Sequence, residues 1–377
     1  MHDLPALDLS MKTRSFTGLP SAHCLRGLLI SPARVFNILL LYGVLAGGGV
    51  WVAFGATDPV EDVKRFSEFR TLDSSRLLEG EVLGERGSLM EFPQGIFAQT
   101  CFVVPVPPDE AAQRLQLWTP SPRQAPGVLA FSPVSVPCAA GDFQSLSLRP
   151  TNHAVRWLLD KSLKTTGGRS DLNLSLSEAR ELDAAAKSHP DAQSMSTYWA
   201  QLLQARTTSF QREGFAGVIP YEAGGKTISP TEDLRTMLRE KPAVEREFIS
   251  LLERCGLLGK QGGETLTPFH YWGLYEIDHC GTLNLGAVYS LALGDRHLLL
   301  DAQYYVSGAY YTGVTLYEVW PIQVGAKPGA LVWRGDFMAA PTLAFAKGAE
   351  RLAYGAIMLQ ELKKAVRCFQ NDVTARP

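Results

Sequence analysis

The chain has 377 residues, 46% hydrophobic, 10% aromatic and 20% charged, with 36 basic against 38 acidic side chains and a formal net charge of −2. This is the composition of a folded protein with a sizeable core, and it excludes a disordered chain, which would be poorer in aromatics and richer in charge. Near-neutrality without a block of like charges also excludes the basic footprint of a nucleic-acid binder.

Residues 1–34 read as an N-terminal cytoplasmic tail, and 35–56 (VFNILLLYGVLAGGGVWVAFGA) as a transmembrane signal anchor. A helix over this uncharged stretch, at about 1.5 Å per residue, spans roughly 33 Å, against about 30 Å for a hydrocarbon core. Two other readings compete with the anchor. One is a cleaved signal peptide starting at Met11, with a basic MKTR region and a small-residue site at Ala53-Phe54-Gly55; the other is a buried core helix. The stretch is longer than the roughly 7–15 residues of a signal-peptide apolar region, which favours retention. Gly47-Gly48-Gly49 lowers helix propensity by about 1 kcal/mol per residue in water, a penalty that matters less in lipid. Lys and Arg are nearly balanced on the two flanks. Arg34 directly before the stretch, and Asp58, Glu61 and Asp62 directly after it, tilt the orientation toward a cytoplasmic N-terminus and an extracytoplasmic C-terminal domain.

Six cysteines occur, none spaced as CxxC, and Cys24 precedes the apolar stretch. The other five, Cys101, Cys138, Cys255, Cys280 and Cys368, read as buried free thiols, with a Cys101–Cys138 bridge left open.

Residues 57–150 form the start of an α+β domain. Within them, 57–90 read as a polar lead-in, and IFAQTCFVVPV from Ile96 as a strand rich in β-branched and aromatic residues. Pro107-Pro108-Asp109-Glu110 then opens a helix with Ala112, Leu115 and Trp118 inward, and the prolines and serines of 119–138 predict loops and short edge strands. Residues 151–262 read as a helical block or insertion. Ser175-x-x-Glu178 is a capping box; a second helix runs from Asp191 to about Glu213 with Trp199, Leu202, Leu203 and Phe210 apolar. Ser229-Pro230-Thr231-Glu232 starts another helix, Pro242 restarts it, and Gly256 ends it. Asn173-Leu174-Ser175 matches a glycosylation acceptor, relevant only in a eukaryotic secretory pathway.

Residues 263–377 predict an antiparallel sheet followed by a helix. YWGLYEIDHC, LNLGAVYSLAL, HLLLDAQYYVSG, YYTGVTLYEVWPI and ALVWRGDFM read as consecutive strands, separated by turns such as Gly294-Asp295 and Lys327-Pro328-Gly329. Pro341-Thr342 opens a final helix of roughly 25 residues, carrying Phe345, Leu352, Ile357, Leu362, Val366 and Phe369, with Gly348 and Gly355 on one face. The expected fold is therefore α+β: a transmembrane helix, then an antiparallel β-sheet domain with a helical block inserted and a long C-terminal helix packed on the sheet. The order of elements across 96–118 and 265–370 resembles the helix-grip arrangement of the START and polyketide-cyclase-like class. The likeness is one of element order and involves no motif; it implies a curved sheet wrapping the last helix around an apolar cavity.

No GxSxG elbow, HExxH, P-loop or dinucleotide-binding fingerprint occurs. Thr166-Gly167-Gly168-Arg169 reads as a turn, and Gly224-Gly225-Lys226-Thr227 lacks the frame of a phosphate loop. Strand alternation from His270 to Cys280 puts His270, Glu276, Asp278 and Cys280 on one face, and Tyr271, Tyr275, Ile277 and His279 on the other. His270 lies roughly 20 Å along the strand from Glu276, too far to share an ion, so only Glu276 and Asp278 are local partners. Cys280 and His279 point apart and cannot activate one another. Arg334-Gly335-Asp336 spells an integrin-binding tripeptide, but it interrupts an apolar strand rather than tipping a loop. Arg334 and Asp336 share a strand face; facing inward, Arg334 needs a carboxylate such as Asp336 or Glu318, or anchors an anionic headgroup. The run Tyr304, Tyr305, Tyr310, Tyr311, Tyr317 and Trp320 either lines a pocket or pairs across strands.

The expected ligand-binding residues are thus Arg334, Tyr304, Tyr311 and Trp320, with no catalytic residue, metal ligand or cofactor singled out. The expected function is a membrane-anchored, extracytoplasmic protein that binds a small apolar ligand such as a lipid, or a protein partner. The alternatives are a hydrolase using Glu276, Asp278 or His270, and a structural component of an envelope complex. The expected partners are the membrane, a lipid or apolar small molecule and an envelope protein, with no nucleic acid.

Overall fold

Asp58 accepts a hydrogen bond from the Val60 amide and so caps helix α1 (Pro59–Phe66), whose first turn carries a proline and two acidic residues, as the helix dipole favours. The stretch expected to be a polar lead-in is therefore structured: α1, α2 (Ser74–Leu78) and strand β1 (Leu83–Arg86) bury Val63, Phe66 and Leu77. The structure, a computed structural model, describes residues 58–118, 127–223, 225–259 and 265–375. The tail 1–34 and the apolar stretch 35–56 lie outside the described residues, among which no helix is long and apolar enough to cross a membrane.

The next elements are β2 (Gly95–Val104), α3 (Pro108–Gln116) and β3 (Val128–Val134). A helical block follows: α4 (His153–Leu163), α5 (Leu176–Ser188), α6 (Ala192–Glu213), a small hairpin of β4 (Tyr221–Ala223) and β5 (Lys226–Ile228), α7 (Pro230–Arg239), α8 (Pro242–Glu247) and α9 (Ile249–Arg254). The Ser175–Glu178 capping box forms with both reciprocal bonds, Asp191 caps α6, and Gly256 takes the left-handed backbone at φ +81 that ends α9. Ser229 precedes α7 without a side-chain capping bond, leaving the start to Pro230 and the acidic first turn. Lys226-Thr227 belongs to strand β5 rather than to a helix N-terminus, and Gly225 before it takes positive φ (77) ahead of that strand.

The chain closes with a meander, β6 (Phe269–Ile277), β7 (Cys280–Leu293), β8 (Arg296–Val306), β9 (Thr312–Val324) and β10 (Lys327–Ala339), then α10 (Ala349–Ala375). All the large strands join one antiparallel sheet in the order β1-β2-β10-β9-β8-β7-β6-β3. Two details depart from the sequence reading. The segment His270 to Cys280 is not one strand: Asp278 and His279 both take positive φ (47 and 62) in a two-residue hairpin turn between β6 and β7. Alternation accordingly stops at Ile277. The last helix begins at Ala349 and not at Pro341, because Pro341–Ala344 forms a single tight turn and Gly348, at φ +48, breaks the backbone before the helix. The helix then buries a stripe of Gly355, Leu362, Val366, Phe369 and Val373, while Phe345, Leu352 and Ile357 stay exposed.

Each face of the sheet is covered by a different layer. Helices α1 and α4–α9 cover one face over a core that includes Trp199, Trp272, Trp333 and Phe248. On the other face α10 packs along β1 and β2, and α3 lies across β7–β10. Arg114 of α3 donates to the Val373 carbonyl and the Trp118 indole to Asp372, which ties α3 to the end of α10. The five described cysteines are free thiols, so no Cys101–Cys138 bridge forms.

Helix α4 rests directly on β7: a Cβ at Gly281 would lie 2.3 Å from the Ala154 carbonyl oxygen. Gly281→Ala is therefore expected to lower stability by roughly 2 kcal/mol, read as a shift in the urea unfolding midpoint. An unchanged midpoint would mean that α4 does not sit on the sheet in this way.

Candidate functional site

The face under α3 and α10 is not filled. A cavity of about 390 Å³ lies between the sheet, the middle of α10 (Leu362, Ala365, Cys368) and the end of α3 (Leu115, Trp118). Cross-strand register accounts for its floor. Asp336, Thr315, Asp301, Val288 and Phe269 stand side by side across β10, β9, β8, β7 and β6, so all five point to one face. Arg334 and Tyr317 form a second such pair. Glycine opens the space: the Tyr271 ring lies over Gly286, its partner on β7, where a Cβ would meet the ring at 2.1 Å. The Tyr275 ring covers Gly273 in the same manner.

The cavity is aromatic with a polar floor. Tyr271 stacks on Phe131 with ring centroids 4.9 Å apart. Arg334 donates from Nε and Nη2 to the two Asp336 oxygens at 2.8 and 2.7 Å, Thr315 donates to Asp336 at 2.8 Å, and the guanidinium sits 5.5 Å from the Tyr317 ring centroid. Arg334 is therefore a neutralised cation. The Asp301 carboxylate accepts one hydrogen bond, from the Tyr271 hydroxyl at 2.9 Å. Burial pushes its pKa up to about 6, against the pull of Tyr271 and Arg334 and with Asp336 adding to the rise. The Tyr310 hydroxyl donates to Gln303, and the Asn284 amide faces the Tyr275 and Tyr310 hydroxyls while its Oδ1 has no partner.

Of the residues expected to bind a ligand, Arg334 lines this cavity, whereas Tyr304, Tyr311 and Trp320 lie on the opposite face of the sheet. Tyr304 stacks on Phe210 of α6 at 3.9 Å, Tyr311 packs by Tyr221, and Trp320 stacks on Phe66 of α1. A bulge explains part of the split: Leu285 pairs with Tyr305 and Gly286 with Gln303, so Tyr304 is the extra residue and both tyrosines turn toward α6. Glu318 also faces the helical layer, paired with Arg296 at 2.8 Å, and burial with Glu247 beside it pushes its carboxyl up to about 8. Arg334-Gly335-Asp336 sits inside β10 and not on a loop tip.

The hydrolase residues are not brought together. His270 is buried against the Phe210 ring and burial pushes its imidazole down to about 4, while Asp278 is exposed at the β6–β7 turn with Glu276 close by. Among the described residues no group of three His, Cys, Asp or Glu side chains could hold a metal ion. Asp301 and Gln303 were missed in the sequence, although LLLDAQ places them as the polar members of an otherwise apolar alternation, which is the signal that could have found them.

Removing Arg334 leaves Asp336 buried and unpaired. Arg334→Met is expected to cost about 3 kcal/mol, and Arg334→Met with Asp336→Leu markedly less. Chemical denaturation of the two variants checks this; equal losses would mean that the pair is not coupled.

No protein-family model, curated protein or solved structure matches this chain, so its function is read from the chemistry of the cavity itself.

Proposed function

We propose that this chain is a ligand-binding domain of the helix-grip kind, which holds a small, largely apolar molecule between the sheet and α10. The cavity of about 390 Å³ carries the reading, because its size, aromatic lining and few convergent polar groups are those of a small-molecule site. Topology supports it. The strand before α3 pairs with the last strand, the strand after α3 joins the far edge, and the final helix packs on the same face as α3, along β1 and β2. A second reading, a docking component of an envelope complex, draws on the exposed Phe345, Leu352, Tyr354 and Ile357 around the start of α10.

The test is a native mass spectrum of the full-length chain purified in mild detergent, with Ala365→Trp as the cavity-filling variant. A bound apolar molecule on the parent protein and none on the variant, at equal thermal stability, is the expected result. No adduct on either protein, and no difference between them in titration with a fluorescent apolar probe, would remove the reading.

The proposal includes a membrane anchor at 35–56, supported by the uncharged length of that stretch. The full-length chain is expected to stay in the membrane pellet after carbonate extraction, and its quantitative release would sink this part.

A further inference from the structure

We propose that the molecule held in this cavity is an organic cation, an apolar or aromatic amine seated with its ammonium on Asp301; this rests on the ligand-binding reading above. Three formal charges belong to the sheet beneath the cavity: Arg334 and Asp301, which line it, and Asp336, paired with Arg334. Arg334 and Asp336 cancel in a bidentate pair whose carboxylate also takes the Thr315 hydroxyl. Asp301 is left with a single hydrogen bond, from Tyr271, and no second donor reaches its Oδ2 among the described residues. The floor as a whole thus carries one uncompensated negative charge, which repels an anionic headgroup and attracts a donor or a cation.

The surrounding groups agree with a cation. Asn284 Oδ1 is a further acceptor without a partner at the cavity wall, on a residue only 1% exposed. The rings of Tyr271, Tyr275, Phe131 and Tyr310 supply the π faces over which an ammonium is stabilised once it leaves water. On the α10 side, Glu361 and Lys364 pair with each other at 2.6 Å and add no net charge. Arg334, a cation on the floor, has its Nε–Nη2 edge engaged by Asp336 and its plane against Tyr317, so its charge is already balanced before any ligand enters.

Calorimetry on the full-length chain with three probes of one shape and different charge, naphthylmethylamine, naphthalenemethanol and naphthoate, tests this. The amine is expected to bind at least about tenfold more tightly than the alcohol, the difference a charge-assisted hydrogen bond makes, and naphthoate not measurably. Asp301→Asn is expected to bring the amine down to the alcohol while leaving alcohol binding in place. An alcohol or naphthoate that binds the parent protein as tightly as the amine overturns the cation assignment but leaves the cavity as a ligand site. If none of the three binds the parent protein, the ligand-binding reading falls with it. The comparison of probes on the parent protein needs no variant, so a misfolded Asp301→Asn does not blunt it.

Discussion

The pairing of β2 with β10 is the constraint on which the rest depends. Ten residues run in register from Gly95 opposite Ala339 to Val104 opposite Ala330, and every residue of β2 is buried. The early part of the domain and its last strand must therefore meet before the sheet can close, a non-local pairing that costs loop-closure entropy before it returns any burial. The same pairing lays α10 back over β2. Arg351 donates to the carbonyls of Met90, Phe92 and Gly95 near one end, and Gln370 to that of Val103 near the other.

Covering both faces of one sheet calls for two layers, and the helical block supplies the first. Its central polar contact is Arg206, which is 3% exposed, lies 4.2 Å from the Tyr305 ring centroid and donates to both oxygens of Glu178 and to the Ile219 carbonyl. Glu178 also takes the Ser175 amide in the capping box. One carboxylate thus starts α5, fixes α5 against α6 and orients the guanidinium above β8. A buried pair with its hydrogen bonds satisfied sets geometry more than it adds stability, since its attraction is largely offset by desolvation.

The second layer is thinner. Helix α10 leans along β1 and β2, and α3 crosses at the opposite side, so the floor between them is covered without being filled. Interiors close such space where they can, because unfilled volume forfeits contacts. Here glycines at 273 and 286 let two tyrosine rings lie flat, and the buried Arg334–Asp336 pair keeps the floor polar. A cavity kept open with polar groups at its base differs from a packing defect, which would be apolar throughout.

Local signals determined much of the fold. IFAQTCFVVPV reads as β2 because a strand buried on both faces shows a continuous apolar run. Ser175 with Glu178, Asp191 and Gly256 mark helix ends whose bonding is local, and the antiparallel meander follows from its apolar runs and short turns. The uncharged stretch 35–56 is likewise a property of sequence alone. Facing was decided only by the tertiary structure. Alternation groups residues into two sets and does not say which set meets the helices, so Arg334 fell on the cavity side and Trp320 on the other. Tyr304 was moved to the helical side by a bulge that no local pattern announces, and Asp301 gained its meaning from neighbours on two other strands. Sequence thus determined where most of the long strands are, while the packing of two unequal layers decided which of their side chains border empty space.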